Sequence, residues 1–134
     1  MGVTISIKGG KYMAEALLDH IHYFRIPVID LQASIKWYTD HLGFSKRFHT
    51  DELSVMELSS GPLLVLVTAD KESRGHFTIN GQLAFSIGFT TSNIAKLHEQ
   101  LSFLDVQVEP IKEDNGHHYF YFYDLNGNKL QVHN

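Results

Sequence analysis

A chain of 134 residues that is 43% hydrophobic, 12% aromatic and 19% charged has the composition of one globular domain able to bury its own core. Its formal net charge of -4, with only 11 basic residues, leaves no electrostatic footprint for nucleic acid. The absence of cysteine removes redox pairs, thiolate nucleophiles and Cys-containing zinc sites. The N-terminus holds no apolar segment long enough for a signal peptide or a membrane span, so a cytoplasmic protein is expected, with no membrane partner. Residues 1–20 read as an N-terminal extension, within which residues 1–12 are expected to be an expression leader ahead of Met13.

The domain is expected over residues 21–134. It opens on "HYFRIPV", where Phe24, Ile26 and Val28 alternate with Tyr23, Arg25 and Pro27, the period of a strand. In "DLQASIKWYTDHLGF" Asp30 can cap a helix whose apolar positions Leu31, Ile35, Tyr38 and Leu42 recur at helical spacing, and Gly43 can close it. Three short strands follow at 44–50, 53–59 and 63–68, with "SSGP" as a turn. "DKESRGHFTING" reads as a polar linker. The programme then repeats, with "QLAFSIGF" as one strand and "TTSNIAKLHEQLSFL" as an amphipathic helix. Residues 106–109 make a short strand, and His117–Tyr123 and Lys129–His133 a terminal hairpin.

Setting Gly61 against Gly127 superposes the two hairpins, with Leu64 opposite Leu130 and Val65 opposite Gln131. The expected fold is therefore α+β, two βαβββ modules at about 21–70 and 82–134, an internal duplication. Each module would present one sheet face to a helix and turn the other toward a concave pocket. The pocket set is then Tyr23, Arg25, Glu57, Val65, Gln82, Ser86, Tyr119, Tyr121, Gln131 and His133, an aromatic and polar wall suited to a small molecule. The same alternation also describes a plain solvated sheet face. Arg25 either pairs internally with Glu57 or recognises an anionic group. Of nine histidines, His20 and His22 are spaced to share a strand face, while His41 and His98 are expected to face solvent.

Two stretches carry a resemblance. "IPVIDLQASIKWYTDHLGF" is similar to the strand, Asp-Leu, helix, Tyr, Leu-Gly-Phe signature of the vicinal oxygen chelate superfamily, the glyoxalase, bleomycin-resistance and extradiol dioxygenase group. "FYFYDLNGNKLQVHN" is similar to that family's Phe-Asp-Pro-Asp-Gly-Asn-x-x-Glu ending. The resemblance implies metal-ligand positions at Tyr23, seven residues before Asp30, and at Val65, Gln82 and Gln131. Those residues offer a cation no carboxylate and no imidazole, so metal-dependent chemistry is not expected at that place. Fosfomycin resistance is not expected either, because the sequence as given stops three residues after Gln131, short of the basic tail such relatives carry.

The function expected is that of a homodimeric small-molecule-binding protein of resistance or sequestration type, with an anionic or aromatic ligand and no cofactor. Tyr23, Tyr119 and Tyr121 would stack on the ligand, Arg25 would meet its negative group, and Gln82, Ser86, Gln131 and His133 would supply hydrogen bonds. Whether it is an enzyme is left open, with His133 and Glu57 as candidate acid-base groups. The alternative is a metal-dependent glyoxalase-like lyase or isomerase, or a thiol transferase. It would use a divalent cation at a displaced site around His133, with Gln131, Gln82 and Glu57.

Overall fold

Asp30 ends the first long strand and opens the first helix by accepting a hydrogen bond from the Ala33 amide at 3.0 Å. That helix, Leu31–Leu42 (α1), stops at Gly43, whose φ of 77° is the left-handed conformation a non-glycine residue resists. Both ends thus fall where the caps predict them. The computed structural model describes residues 5–8 and 11–134. The leader expected at 1–12 lies partly outside these residues. Within them Ile5–Lys8 (β1) and Lys11–Ala14 (β2) pair antiparallel. Residues 15–22 carry no strand, so His20 and His22 do not share a strand face; their rings nonetheless lie 6.2 Å apart.

The first repeat comprises Tyr23–Val28 (β3), α1, Ser45–His49 (β4), Leu53–Glu57 (β5) and Leu63–Thr68 (β6). Its sheet has the order β3-β6-β5-β4, with β3 parallel to β6 and the other pairs antiparallel. The second comprises Gly88–Thr90 (β9), Ile94–Phe103 (α2), Lys112–Asp114 (β10), His117–Tyr123 (β11) and Lys129–His133 (β12). Its order, β10-β11-β12-β9, is the same path, again with a parallel pair at β12 and β9. Arg25 pairs with Val65 and Gly88 with Gln131. The duplication therefore extends to register, making Arg25 the counterpart of Gly88 and Tyr23 the counterpart of Ser86.

Two expectations about the second repeat are corrected. "QLAFSIGF" is not one strand. Gln82–Phe85 (β8) pairs with His76–Ile79 (β7) in a separate hairpin inside the expected linker, and the chain bends at Ser86 before β9 begins. The turn is Asn80-Gly81 with φ of 51° and 78°, the two left-handed residues a tight hairpin needs. The second correction concerns 106–109, which contribute an isolated bridge, Val108 to Phe122, while β10 takes the edge position ahead of an Asn115-Gly116 turn. The closing Asn126-Gly127 turn also differs from a two-residue one. The Gly127 amide bonds the Asp124 carbonyl at 3.0 Å and the Asp124 amide bonds the Asn128 carbonyl, a longer loop with a left-handed Gly127.

One core serves both repeats. Ile26, Val28, Leu31, Tyr38, Met56, Leu64 and Leu66 from the first join Leu101, Phe120, Phe122, Leu130 and Val132 from the second. The loop 124–128 adds a polar clamp across the same boundary. Asp124 accepts from the Asn126 and Asn128 amides, the Asn128 side chain and the Tyr38 hydroxyl. Asn126 accepts from the Ile29 amide and donates to Ser34 Oγ, while Asn128 donates to the Pro27 carbonyl. The β7–β8 hairpin starts from this clamp. The Gly75 amide donates to Asn128 Oδ1 at 2.7 Å, and a Cβ at Gly75 would meet Ile26 Cγ1 at 2.6 Å, so glycine alone fits there.

Candidate functional site

The face of the first sheet turned away from α1 carries the odd-numbered residues of β3, β5 and β6. They line a cavity of about 620 Å³ with His22, Tyr23, Arg25, Arg47, Phe48, Leu53, Val55, Leu63 and Val65. Leu53, Val55, Leu63 and Val65 form an apolar floor two strands wide. Among the described residues no ion pair engages Arg25. Of the two alternatives for Arg25, the internal pairing with Glu57 is not made. Glu57 instead lies 3.7 Å from Arg47 Nε and lines the neighbouring cavity of about 560 Å³ with His20, Ile21, His22 and Arg47.

The matching face of the second sheet collects the expected residues Tyr119, Tyr121, Gln131 and His133. Tyr119 pairs with His133 and Tyr121 with Gln131, while Phe120 and Phe122 point into the core. Tyr119 and Tyr121 meet edge-on at 5.7 Å. Lys129 Nζ lies 4.3 Å and Lys112 Nζ 5.3 Å from the centre of the Tyr121 ring. Lys129 also donates to the Leu83 carbonyl at 3.1 Å and approaches Glu109 at 3.8 Å. Burial, then Tyr119 and Glu109, raises the Tyr121 hydroxyl above its ordinary pKa. Burial, then the hydrogen bond from Tyr123 to Glu109 and the charge of Glu109, pushes Tyr123 up to about 12. Both phenols keep their protons at neutral pH, so they can stack and donate but not serve as bases.

Gln82 does not join either wall. It pairs with Ile79 beside the Asn80-Gly81 turn, and the bend at 86 makes the exposed Ser86, not Gln82, the repeat counterpart of Tyr23. Phe85 is the reverse case. Alternation through one strand would bury it with Ile87 and Phe89, but the bend turns it onto Tyr121, at 5.8 Å, where its ring also borders Gly88. Lys112, Lys129, Arg47 and Phe48 were not expected in the site. The Asn-Gly dipeptides at 80–81 and 115–116 are the signal that would have placed Phe85 and Lys112.

Several histidines are engaged by neighbouring groups. His98 does not face solvent: its Nε2 lies 2.9 Å from the Glu109 carbonyl and its ring meets Phe120 edge-on. His41 stacks on Trp37 at 5.0 Å and reaches the Trp37 carbonyl. His133 Nδ1 lies 3.0 Å from its neighbour's carbonyl at Asn134. Among the described residues no three His, Asp or Glu side chains converge to hold a cation. The displaced set is scattered, with Gln82 on the hairpin and Glu57 beside Arg47. Register moves the ligand position that the resemblance implies at Gln82 to Ser86, leaving Tyr23, Val65, Ser86 and Gln131. That donor set, with a hydrocarbon and no carboxylate or imidazole, does not fit a divalent cation.

The Arg25 cavity is lined by residues 22–65 alone, a cavity of about 350 Å³ lined by Phe24, Leu63, Gly88 and Phe89 runs between the two sheets, and no ion pair or aromatic contact joins the Arg25 wall to the Tyr121 wall among the described residues. Among the described residues no helix is long and apolar enough to cross a membrane. The model of the glyoxalase/bleomycin resistance protein/dioxygenase superfamily matches residues 18–132. No curated protein matches by sequence. Among solved structures, the chain is similar to the antibiotic binding protein TnmS3 from Streptomyces sp. CB03234, with TM-score 0.73 and 18% identity over 88% of this chain and 97% of that one. It is similar to a glyoxalase family protein from Enterococcus faecalis, with TM-score 0.71 and 21% identity over 86% and 97%. It also resembles the fosfomycin resistance protein FosX from Listeria monocytogenes, with TM-score 0.72 and 12% identity over 87% and 93%.

Proposed function

This chain belongs to the glyoxalase/bleomycin resistance protein/dioxygenase superfamily, and from that premise we propose that it binds a small organic acid without an obligatory metal, as a homodimer. The observation that carries the reading is Arg25, a guanidinium without an ion-pair partner among the described residues, at the edge of an apolar-floored cavity. A carboxylate or sulfonate there gains a charge-assisted, bidentate partner while its hydrocarbon body covers Leu53, Val55, Leu63 and Val65. The tyrosine wall of the second repeat supplies the other side. Its place is across a dimer, a reading supported by the two walls lying on separate four-stranded sheets. The antibiotic-binding name of TnmS3 agrees with a binding role, and the misfit of the donor set supports the absence of a required metal.

The test is a thermal-shift screen of aromatic acids and antibiotics on protein purified without chelator, with metal content measured on the same sample. A ligand at a hundred times its Kd stabilises by about 2.7 kcal/mol, and Arg25→Ala removes that shift. Absence of any shift across a broad library overturns the binding reading. Stoichiometric zinc, nickel or manganese that is lost in His133→Ala overturns the metal-free one and favours a lyase, isomerase or transferase.

A further inference from the structure

Consecutive residues of a regular strand point to opposite faces of its sheet, yet Arg47 and Phe48 both line the Arg25 cavity. The register explains why. Lys46 pairs with Met56 and Phe48 with Val55, so Arg47 is an extra residue, a β-bulge in the outer strand β4. Bulges re-aim side chains in this way. With the order β3-β6-β5-β4, the floor residues of β6 and β5 lie between two edges of like chemistry. Tyr23 and Arg25 stand on β3; Arg47 and Phe48 stand on β4. Each edge therefore offers one aromatic ring and one guanidinium, about three strand spacings or roughly 14 Å apart at the backbone.

We propose that the ligand class is an elongated, apolar diacid, one acid group held at Arg25 and the other at Arg47, with its body across Leu53, Val55, Leu63 and Val65. The proposal rests on the binding reading above and adds to it the second acid and the residue that selects for it. Glu57 sets how readily Arg47 is given up. Arg47 lines both neighbouring cavities while Glu57 lines the second, and their 3.7 Å contact is a loose one between side chains 51% and 42% exposed. Such a pair is weak, so a ligand's second acid can outcompete it.

Isothermal titration with 2-naphthoate and 2,6-naphthalenedicarboxylate, which share one body and differ by one acid, tests this at pH 7.5. The diacid binds about fivefold tighter than the monoacid. Arg47→Ala removes that preference, and Glu57→Gln widens it by about twofold. Equal binding of the two acids, or a preference that survives Arg47→Ala, overturns the proposal. If 2-naphthoate binding is nonetheless lost in Arg25→Ala, the organic-acid reading stands without it. If 2-naphthoate ignores Arg25→Ala, both fall together.

Discussion

At Asp124 a carboxylate only 6% exposed receives four hydrogen bonds, and the Tyr38 hydroxyl that supplies one of them belongs to the other repeat. Burial first, and then the Asp124 charge, pushes the Tyr38 hydroxyl well above its ordinary pKa, so it remains a donor through the alkaline range. Tyr38→Phe leaves the charge buried with one donor fewer and should cost about 1.5–3 kcal/mol in urea unfolding. A change within error would show that the carboxylate finds another donor. Tyr38 was legible as core from its helical spacing. Its hydroxyl partner was not, because a contact across 86 positions leaves no mark in local pattern. The bulge at Arg47 was hidden for a related reason. "SKRFH" has a single apolar residue, so one extra position disturbs no visible alternation.

The β7–β8 hairpin is the element that sequence pattern misread, because a run rich in charge and glycine passes for a linker even when Asn80-Gly81 lies between two alternating segments. The helices and long strands, by contrast, announced themselves through caps and period. The hairpin is held to the second sheet through a histidine. The Lys129 amide donates to His76 Nδ1 at 2.9 Å, which requires that nitrogen to be free of a proton. Burial, with Arg74 and Lys129 adding to it and Asp124 opposing, lowers the His76 pKa below its usual 6.5. The folded chain then binds this proton less readily than the unfolded one. The hairpin's contribution is complete above pH 6.5 and declines as pH falls from 6.5 through the lower folded value. His76→Asn keeps an acceptor that does not titrate, so its melting temperature relative to the parent should rise between pH 7.5 and pH 5.5. Parallel curves for the two proteins would assign the acid sensitivity to other groups.

In the whole molecule the two candidate walls lie on separate sheets that share a core and a cavity of about 350 Å³ lined by Phe24, Leu63, Gly88 and Phe89, while the Arg25 cavity is lined by residues 22–65 alone. Alternation could show which residues face outward; it could not show which outward faces meet around a ligand. Sedimentation should give twice the 15.3 kDa chain mass, and mixing Arg25→Ala with Tyr121→Ala protomers should restore binding that neither variant has alone. A monomer that binds with full affinity would place the whole site in one chain. The clamp at 124–128 has a further consequence, for synthesis. Its partners at Pro27 and Ile29 leave the ribosome roughly a hundred residues earlier, with separations of 101 and 97 positions. The first repeat cannot seal its core on its own, so the nascent chain must carry that apolar surface uncovered until Phe120, Phe122, Leu130 and Val132 emerge. Such long-range closure also makes for slow folding.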